Sequence, residues 1–203
     1  MKIYNNLKIA SKHKNSVVAI GNFDGVHLGH QKVINQAKLK SKKNKLPLGI
    51  ITFEPMPIMF FNKKIKNYRL ASEDEKFQLL KKYGVNFVIN IKFNKNFSKI
   101  YAKDFIEKII YKKINPKQVF VSNNFKFGNK RKGNVNLLTK FGNRYNYKLL
   151  KISPHKYEKK MVSSTRIRKY IQRGNFDLAN KLLTRVWSIE GRVIKGRKLG
   201  RRL

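Results

Sequence analysis

The sequence contains no cysteine, and its acidic residues are few. Without cysteine in 203 residues, the chain has no means of forming a disulfide, a thiolate nucleophile or a cysteine metal site. No apolar run approaches the roughly 18 residues of a membrane-spanning helix. The N-terminal residues lack the continuous apolar segment of a secretory signal. These absences agree with a cytoplasmic location and give no indication of a membrane partner.

The scarcity of acidic residues leaves a very large positive charge. Asp and Glu number 10 against 48 Lys and Arg, which gives a net charge of +38. Such a balance suggests a nucleic acid or another polyanion as partner. The lysines are nevertheless spread along the whole chain among many Asn, Ile, Tyr and Phe, which indicates compositional bias. Under either interpretation we expect nonspecific, salt-sensitive binding of nucleic acid.

Residues 16–30 carry the most informative pattern. The apolar residues from Ser16 to Ile20 predict a short buried strand. Gly21 and Gly25 then bracket a tight turn, and a helical apolar period follows. His27 and His30, three residues apart, are predicted to share one face at the start of this helix. Because a helix N-terminus attracts anions, the pattern indicates a phosphate site.

The rest of the chain alternates between predicted strands and helices. A second buried strand, 48–53, follows the first helix, which predicts a βαβ crossover and a parallel sheet. Further strands are predicted at 85–91, 118–121 and 147–152, and helices begin near residues 72, 101, 137 and 164. We therefore predict an α/β fold with a doubly wound, mostly parallel sheet. Its ligands should lie at the carboxyl ends of the strands.

Four segments of the sequence resemble one enzyme family. G-N-F-D-G-V-H-L-G-H at 21–30 resembles the nucleotidyltransferase superfamily, and the bacterial FAD synthetases in particular. T-F-E-P-M-P at 52–57, the segment 122–134 and S-S-T-R-I-R at 163–168 resemble further motifs of that family, in the same order. The resemblance implies a Rossmann-like nucleotidyltransferase domain. It also implies FMN adenylyltransferase activity, which makes FAD and pyrophosphate from ATP and FMN.

The resemblance also implies roles for individual residues. Catalytic roles fall on His27, His30, Ser164, Thr165 and Arg168, and ATP binding falls on Gly21, Asn22, Phe23, Asp24, Gly25 and Gly29. FMN binding falls on Glu54, Pro55, Asn124, Phe125 and Phe127. We predict no metal ligand from the protein. Mg²⁺ should be held mainly by substrate phosphates and water.

Two positions depart from the family pattern, and the end of the chain changes character. Met56 stands where the family has histidine, and Ser122 stands where it has glycine. From Trp187 onward the sequence resembles the first strands of a riboflavin kinase barrel. We therefore predict an adenylyltransferase domain at 1–185 and an incomplete kinase-like β segment at 186–203, without kinase activity.

Two alternative functions stay open at this point. The first is adenylyl transfer to another phosphate-bearing acceptor, such as phosphopantetheine or nicotinamide mononucleotide; the segments 52–55 and 124–128 argue against it. The second is a degenerate, inactive homologue that acts as a basic nucleic-acid-binding protein. The high charge and the departures at Met56 and Ser122 favour this second alternative.

Overall fold

A six-stranded parallel sheet forms the centre of the protein. The computed structural model describes residues 1–65 and 68–191. The strands are β1 (Lys2–Tyr4), β2 (Val17–Ile20), β3 (Leu48–Glu54), β4 (Phe87–Lys92), β5 (Gln118–Ser122) and β6 (Lys148–Ile152). They lie in the order β1-β4-β3-β2-β5-β6, and each neighbouring pair is parallel. The predicted doubly wound α/β fold is confirmed.

Helices cover both faces of this sheet. They are α1 (Leu28–Lys43), α2 (Pro57–Phe61), α3 (Glu73–Lys82), α4 (Lys95–Ser98), α5 (Ala102–Asp104), α6 (Val135–Tyr145), α7 (Ser164–Gln172) and α8 (Phe176–Leu183). The helix predicted from residue 101 instead continues from α5 as a π-helix, Phe105–Ile114. Among the described residues, no helix is long and apolar enough to cross a membrane.

Alternating side chains of the strands explain the two-sided core. Val17 and Ala19 of β2 pack with α1 and α3, whereas Val18 and Ile20 pack with the π-helix and α6. All four side chains are at least 97% buried. A parallel sheet buried on both faces requires such continuous apolar strands, which is why they were recognisable in the sequence.

The helix caps agree with the sequence only in part. A helix was predicted to begin near residue 72, and Ser72 caps α3, because its hydroxyl accepts a hydrogen bond from the Glu75 amide at 3.0 Å. The Glu75 carboxylate does not complete a capping box, since it binds the side chain of Arg185.

The C-terminal part of the described chain packs as a separate layer. Helices α7 and α8 share a small apolar cluster with Leu70 and Val162. A two-stranded antiparallel sheet, β7 (Lys156–Tyr157) and β8 (Lys160–Met161), precedes α7. Of the β segment predicted from Trp187, residues 187–191 form no strand, and residues 192–203 lie outside the described residues. The predicted domain boundary at residue 185 therefore stays a prediction.

Candidate functional site

A large cavity opens where the strand order reverses. The chain runs outward from β2 through β3 to β4, and then returns to the other side of β2 with β5. Ligands of open α/β sheets bind at such a switch point, outside the carboxyl ends of the strands. Here the loops after β2 and β5 border a cavity of about 860 Å³, which is a volume suited to a drug-sized or cofactor-sized ligand.

The predicted site residues divide into two groups around this cavity. Those that line it are Gly21, Asn22, Phe23, Asp24, His30, Asn124, Phe125, Phe127, Ser164, Thr165 and Arg168. Those that are absent from its lining are Gly25, His27, Gly29, Glu54 and Pro55. Residues more than 140 positions apart in the sequence thus meet at one site, which fits a common function.

The loop after β2 has a strained backbone. Phe23, Gly25 and Val26 all have positive φ, at 50°, 73° and 40°. This conformation is natural for Gly25, where a Cβ atom would also approach Leu70 Cβ to 2.9 Å. For a β-branched residue such as Val26 it is a genuine outlier. Strained backbone persists only where its surroundings hold it, and it concentrates at functional sites.

The two histidines meet by a different geometry from the one predicted. His27 does not lie on the helix; its extended backbone forms the N-cap of α1, and its Nδ1 accepts a hydrogen bond from the Gly29 amide at 3.1 Å. His30 lies in the first turn, and the two rings stack with centroids 3.8 Å apart. The expectation of one shared helical face was wrong, because the helix begins after His27.

Both imidazoles are neutral at physiological pH. Burial lowers the pKa of His27 to about 4. Burial, with a smaller contribution from His27, holds the pKa of His30 well below its ordinary value. Because Nδ1 of His27 accepts a hydrogen bond, its Nε2 carries the proton. These histidines therefore offer N–H donors rather than positive charges.

The lowered pKa of His27 predicts a pH-dependent stability. Between about 4 and 6.5 the unfolded chain protonates this imidazole while the folded chain does not. The free energy of unfolding of the native protein, compared with His27→Gln, should therefore fall as the pH falls from 6.5 towards 4. Glutamine keeps an acceptor for the Gly29 amide, and denaturant unfolding at several pH values measures the difference. A difference that does not change with pH would contradict the buried, neutral state.

Helix α7 supplies the opposite wall of the polar end. Ser163 is its N-cap, and the Ser164 hydroxyl donates to the Asp24 carbonyl at 3.2 Å. The Arg168 guanidinium pairs with the Asp24 carboxylate and donates through Nε to the Tyr68 carbonyl at 2.6 Å. It also lies 3.6 Å from the centroid of the Tyr68 ring. Arg168 is thereby oriented at the cavity wall.

Asp24 is a buried anchor as well as a lining residue. One carboxylate oxygen accepts from the Leu70 amide at 2.9 Å, and the other pairs with Arg168. Burial raises the pKa of Asp24, and the Arg168 guanidinium opposes that rise. Each oxygen of Asp24 thus has a partner within the protein, which holds the carboxylate in place. No cluster of three metal-binding side chains occurs within residues 1–65 and 68–191.

The other end of the cavity is aromatic. Seven phenylalanines line it, with neighbouring ring centroids 5.4–6.5 Å apart: Phe53, Phe61, Phe93, Phe97, Phe105, Phe125 and Phe127. Such a wall suits a flat aromatic ligand. Only Phe125 and Phe127 were predicted. Phe93 directly follows a buried strand, at the edge of the sheet where ligands bind, and this position could have identified it from the sequence.

Glu54 takes part in an ion-pair cluster beside the cavity. Its carboxylate pairs with Arg69, and it lies 3.8 Å from Nζ of the buried Lys76. Burial raises the pKa of Glu54, while both cations lower it. This cluster attaches the end of β3 to α3 and lies beside the cavity rather than on its lining. An FMN contact by Glu54 or Pro55 stays an untested prediction.

The two departures from the motif pattern are accommodated without strain. Ser122 lies at the end of β5, in extended backbone that any residue adopts, and its hydroxyl lies 2.8 Å from Asn124 Oδ1. Met56 is 97% buried and lines the cavity. Glycine is not required at the first position, and the second contributes apolar surface.

Comparison with known proteins finds relatives over most of the chain. A sequence model of the family described as FAD synthetase matches residues 9–166. A bifunctional riboflavin kinase/FMN adenylyltransferase of Buchnera aphidicola subsp. Schizaphis graminum is 44% identical over 202 residues, which is 99% of this chain and 64% of that protein. One of the same name from Haemophilus influenzae is 36% identical over 91% of this chain and 60% of its own length. The chain thus spans less than two thirds of these relatives.

Solved structures show the same fold. A structure described as a macrolide-efflux protein from Streptococcus pneumoniae matches with a TM-score of 0.83 and 28% identity, over 98% of this chain and 65% of that one. A pantoate-beta-alanine ligase from Francisella tularensis matches with a TM-score of 0.57 and 14% identity, over 91% and 78%. The second likeness concerns the fold alone.

Proposed function

We propose, because the chain belongs to the FAD synthetase family, that it transfers the adenylyl group of ATP to the phosphate of FMN. The products are FAD and pyrophosphate. One observation carries the proposal: a single cavity joins an aromatic end to a polar end that contains His30, Ser164 and Arg168. The aromatic end suits the flavin ring, and the polar end suits the phosphates of both substrates.

The reaction requires positioning and charge stabilisation more than covalent help. An oxygen of the FMN phosphate attacks the α-phosphorus of ATP, a new P–O bond forms, and the bond to the departing pyrophosphate breaks. In-line phosphoryl chemistry of this kind is catalysed mainly by orientation and by fixed donors. The neutral imidazole of His30 and the guanidinium of Arg168 would stabilise the charge on the triphosphate. Ser164 and Thr165 would orient it from the start of α7.

Mg²⁺ would be bound by the phosphates of the substrates rather than by protein side chains. Asp24 is the one carboxylate among the described residues that line the cavity, and a single carboxylate already paired with Arg168 is a poor donor set for a protein-held metal ion. Mg²⁺ commonly keeps its waters and binds substrate phosphates.

The proposal also covers where the protein acts and what it binds. A cytoplasmic site of action follows from the sequence expectation and from the chemistry of ATP and FMN. The charge of +38 predicts nucleic-acid association that is nonspecific and disappears as salt rises. ATP and FMN, which bind at a cavity of defined shape, are the specific ligands.

A direct assay tests this function. Purified protein incubated with FMN, ATP and Mg²⁺ at physiological salt should form FAD and pyrophosphate in equal amounts, measured by chromatography and by a coupled pyrophosphate assay. Nicotinamide mononucleotide and phosphopantetheine serve as control acceptors and should give no adenylylated product. Absence of FAD would refute the proposal. A product with a control acceptor alone would move the assignment to another adenylyltransferase.

A further inference from the structure

The segment 184–187, which we call the clasp, follows α8 and contacts the strained loop after β2. In the clasp, Arg185 donates through Nη1 to the Gly25 carbonyl at 2.8 Å. The Thr184 hydroxyl accepts from the Gln31 amide group at 2.8 Å, and the Trp187 indole donates to the Leu70 carbonyl at 3.1 Å. Residues some 160 positions apart are thus connected by directional bonds as well as by packing.

Three consecutive carbonyls of the loop are held by three different elements. Ser164 of α7 donates to Asp24, Arg185 of the clasp donates to Gly25, and Gln31 of α1 donates to Val26. The last two bonds are both 2.8 Å long. Carbonyl oxygens repel phosphate oxygens, so a loop that receives a nucleotide must hold them away from the anion. These bonds fix the orientation that the strained φ angles require.

Arg185 is itself held in place for this contact. Its Nε and Nη2 atoms lie 3.1 and 2.9 Å from Glu75 Oε1, and the two side chains are only 19% and 15% exposed. A planar guanidinium can satisfy a carboxylate and a carbonyl at once, which the lysine ammonium does less well. Glu75 is also one of only 10 acidic residues in the chain. This ion pair connects α3, the clasp and the loop.

We propose that Arg185 is a positioning residue for nucleotide binding, which acts through the Gly25 carbonyl to hold the loop in its binding geometry. The inference rests on the proposed function and deepens it. Arg185 lies outside residues 9–166, the part matched by the family comparison, and it is absent from the cavity lining. Its effect on ATP must therefore be indirect, through the backbone that leads to His27 and His30.

The test compares ATP binding with FMN binding. In Arg185→Gln, the dissociation constant of a non-hydrolysable ATP analogue with Mg²⁺, measured by calorimetry, should rise about tenfold, as expected for one lost charge-assisted bond. The dissociation constant of FMN should change less than about twofold. Arg185→Lys should recover part of the ATP affinity. Lys181→Gln, which removes one charge from the exposed side of α8, should behave as the native protein.

A second readout separates positioning from general stabilisation. Amide hydrogen exchange of residues 21–29 should increase in Arg185→Gln, whereas residues 123–133 should be unchanged. Equal weakening of ATP and FMN, or exchange that increases in both loops, would overturn the positioning role. Unchanged ATP affinity in Arg185→Gln would do the same while leaving the proposed function intact. A native protein that binds neither ATP nor FMN would overturn the proposed function together with this inference.

Discussion

His30→Ala should lower the rate of FAD formation by on the order of 10²-fold, the effect of removing one fixed donor from a preorganised site. His30 lines the cavity, so a ligand oxygen can approach its imidazole. The buried Nδ1 of this ring has no hydrogen-bond partner among the described residues. Because the variant also loses the stacking of this ring on His27, its melting temperature should fall, and rates are compared below that temperature. Initial rates at saturating ATP and FMN measure the effect.

The matched control for His30 is His155→Ala. His155 is absent from the cavity lining, so this variant should keep the native rate. If His30→Ala keeps the native rate as well, the imidazole takes no part in the reaction. In that case the catalytic assignment of the histidine pair fails, although FAD synthesis by other groups would stand.

Arg168→Met should abolish most activity and also destabilise the fold. Its guanidinium forms a buried ion pair with Asp24, and the side chains are 13% and 5% exposed. Removing one partner leaves a buried carboxylate uncompensated, which costs about 3–5 kcal/mol. FAD formation should fall by on the order of 10²-fold or more, as for a lost charge-stabilising donor. Denaturant unfolding gives the stability, and rates are measured below the melting temperature of the variant.

Arg166→Met provides the comparison within the same motif. Arg166 bonds to the carbonyls of Tyr157 and Lys160, each at 3.0 Å, and is absent from the cavity lining. The loss of these bonds should lower stability, but KM and kcat should stay within about twofold of native. Similar kinetic losses in both variants would indicate that helix α7 acts through its folding alone, and that Arg168 has no separate role.

The sheet could be predicted because its pattern is local. Each buried strand is a short continuous run of apolar residues, and each crossover helix shows an apolar period, so element type and parallel pairing followed from the sequence. The position of His27 did not follow. The three-residue spacing between His27 and His30 is compatible with a helix that begins before His27 and with one that begins after it. The extended backbone of His27 shows that the helix begins after this residue.

The remainder of the site depends on contacts between distant residues. The aromatic wall brings Phe53 and Phe97 together with Phe127, and Tyr68 stacks on a guanidinium 100 positions away. The motif predicts an FMN contact for Glu54, which stays untested, and the structure shows this carboxylate paired with Arg69 and Lys76. Motif resemblance identifies which residues belong together. It does not distinguish a ligand contact from a buried ion pair beside the site.

The engagement of Asp24 by Arg168 has a consequence for how substrates arrive. Asp24 is the one acidic residue among the described residues that line the cavity, and Arg168 pairs with it, whereas Lys126, Lys130 and Arg131 line the cavity as further cations. With that carboxylate neutralised by its partner, the cavity presents an uncompensated positive potential to solvent. Field lines concentrated in such a cleft accelerate the diffusional encounter of anions. ATP and FMN should therefore associate fastest at low ionic strength, and added salt should slow their capture more than it slows the chemical step.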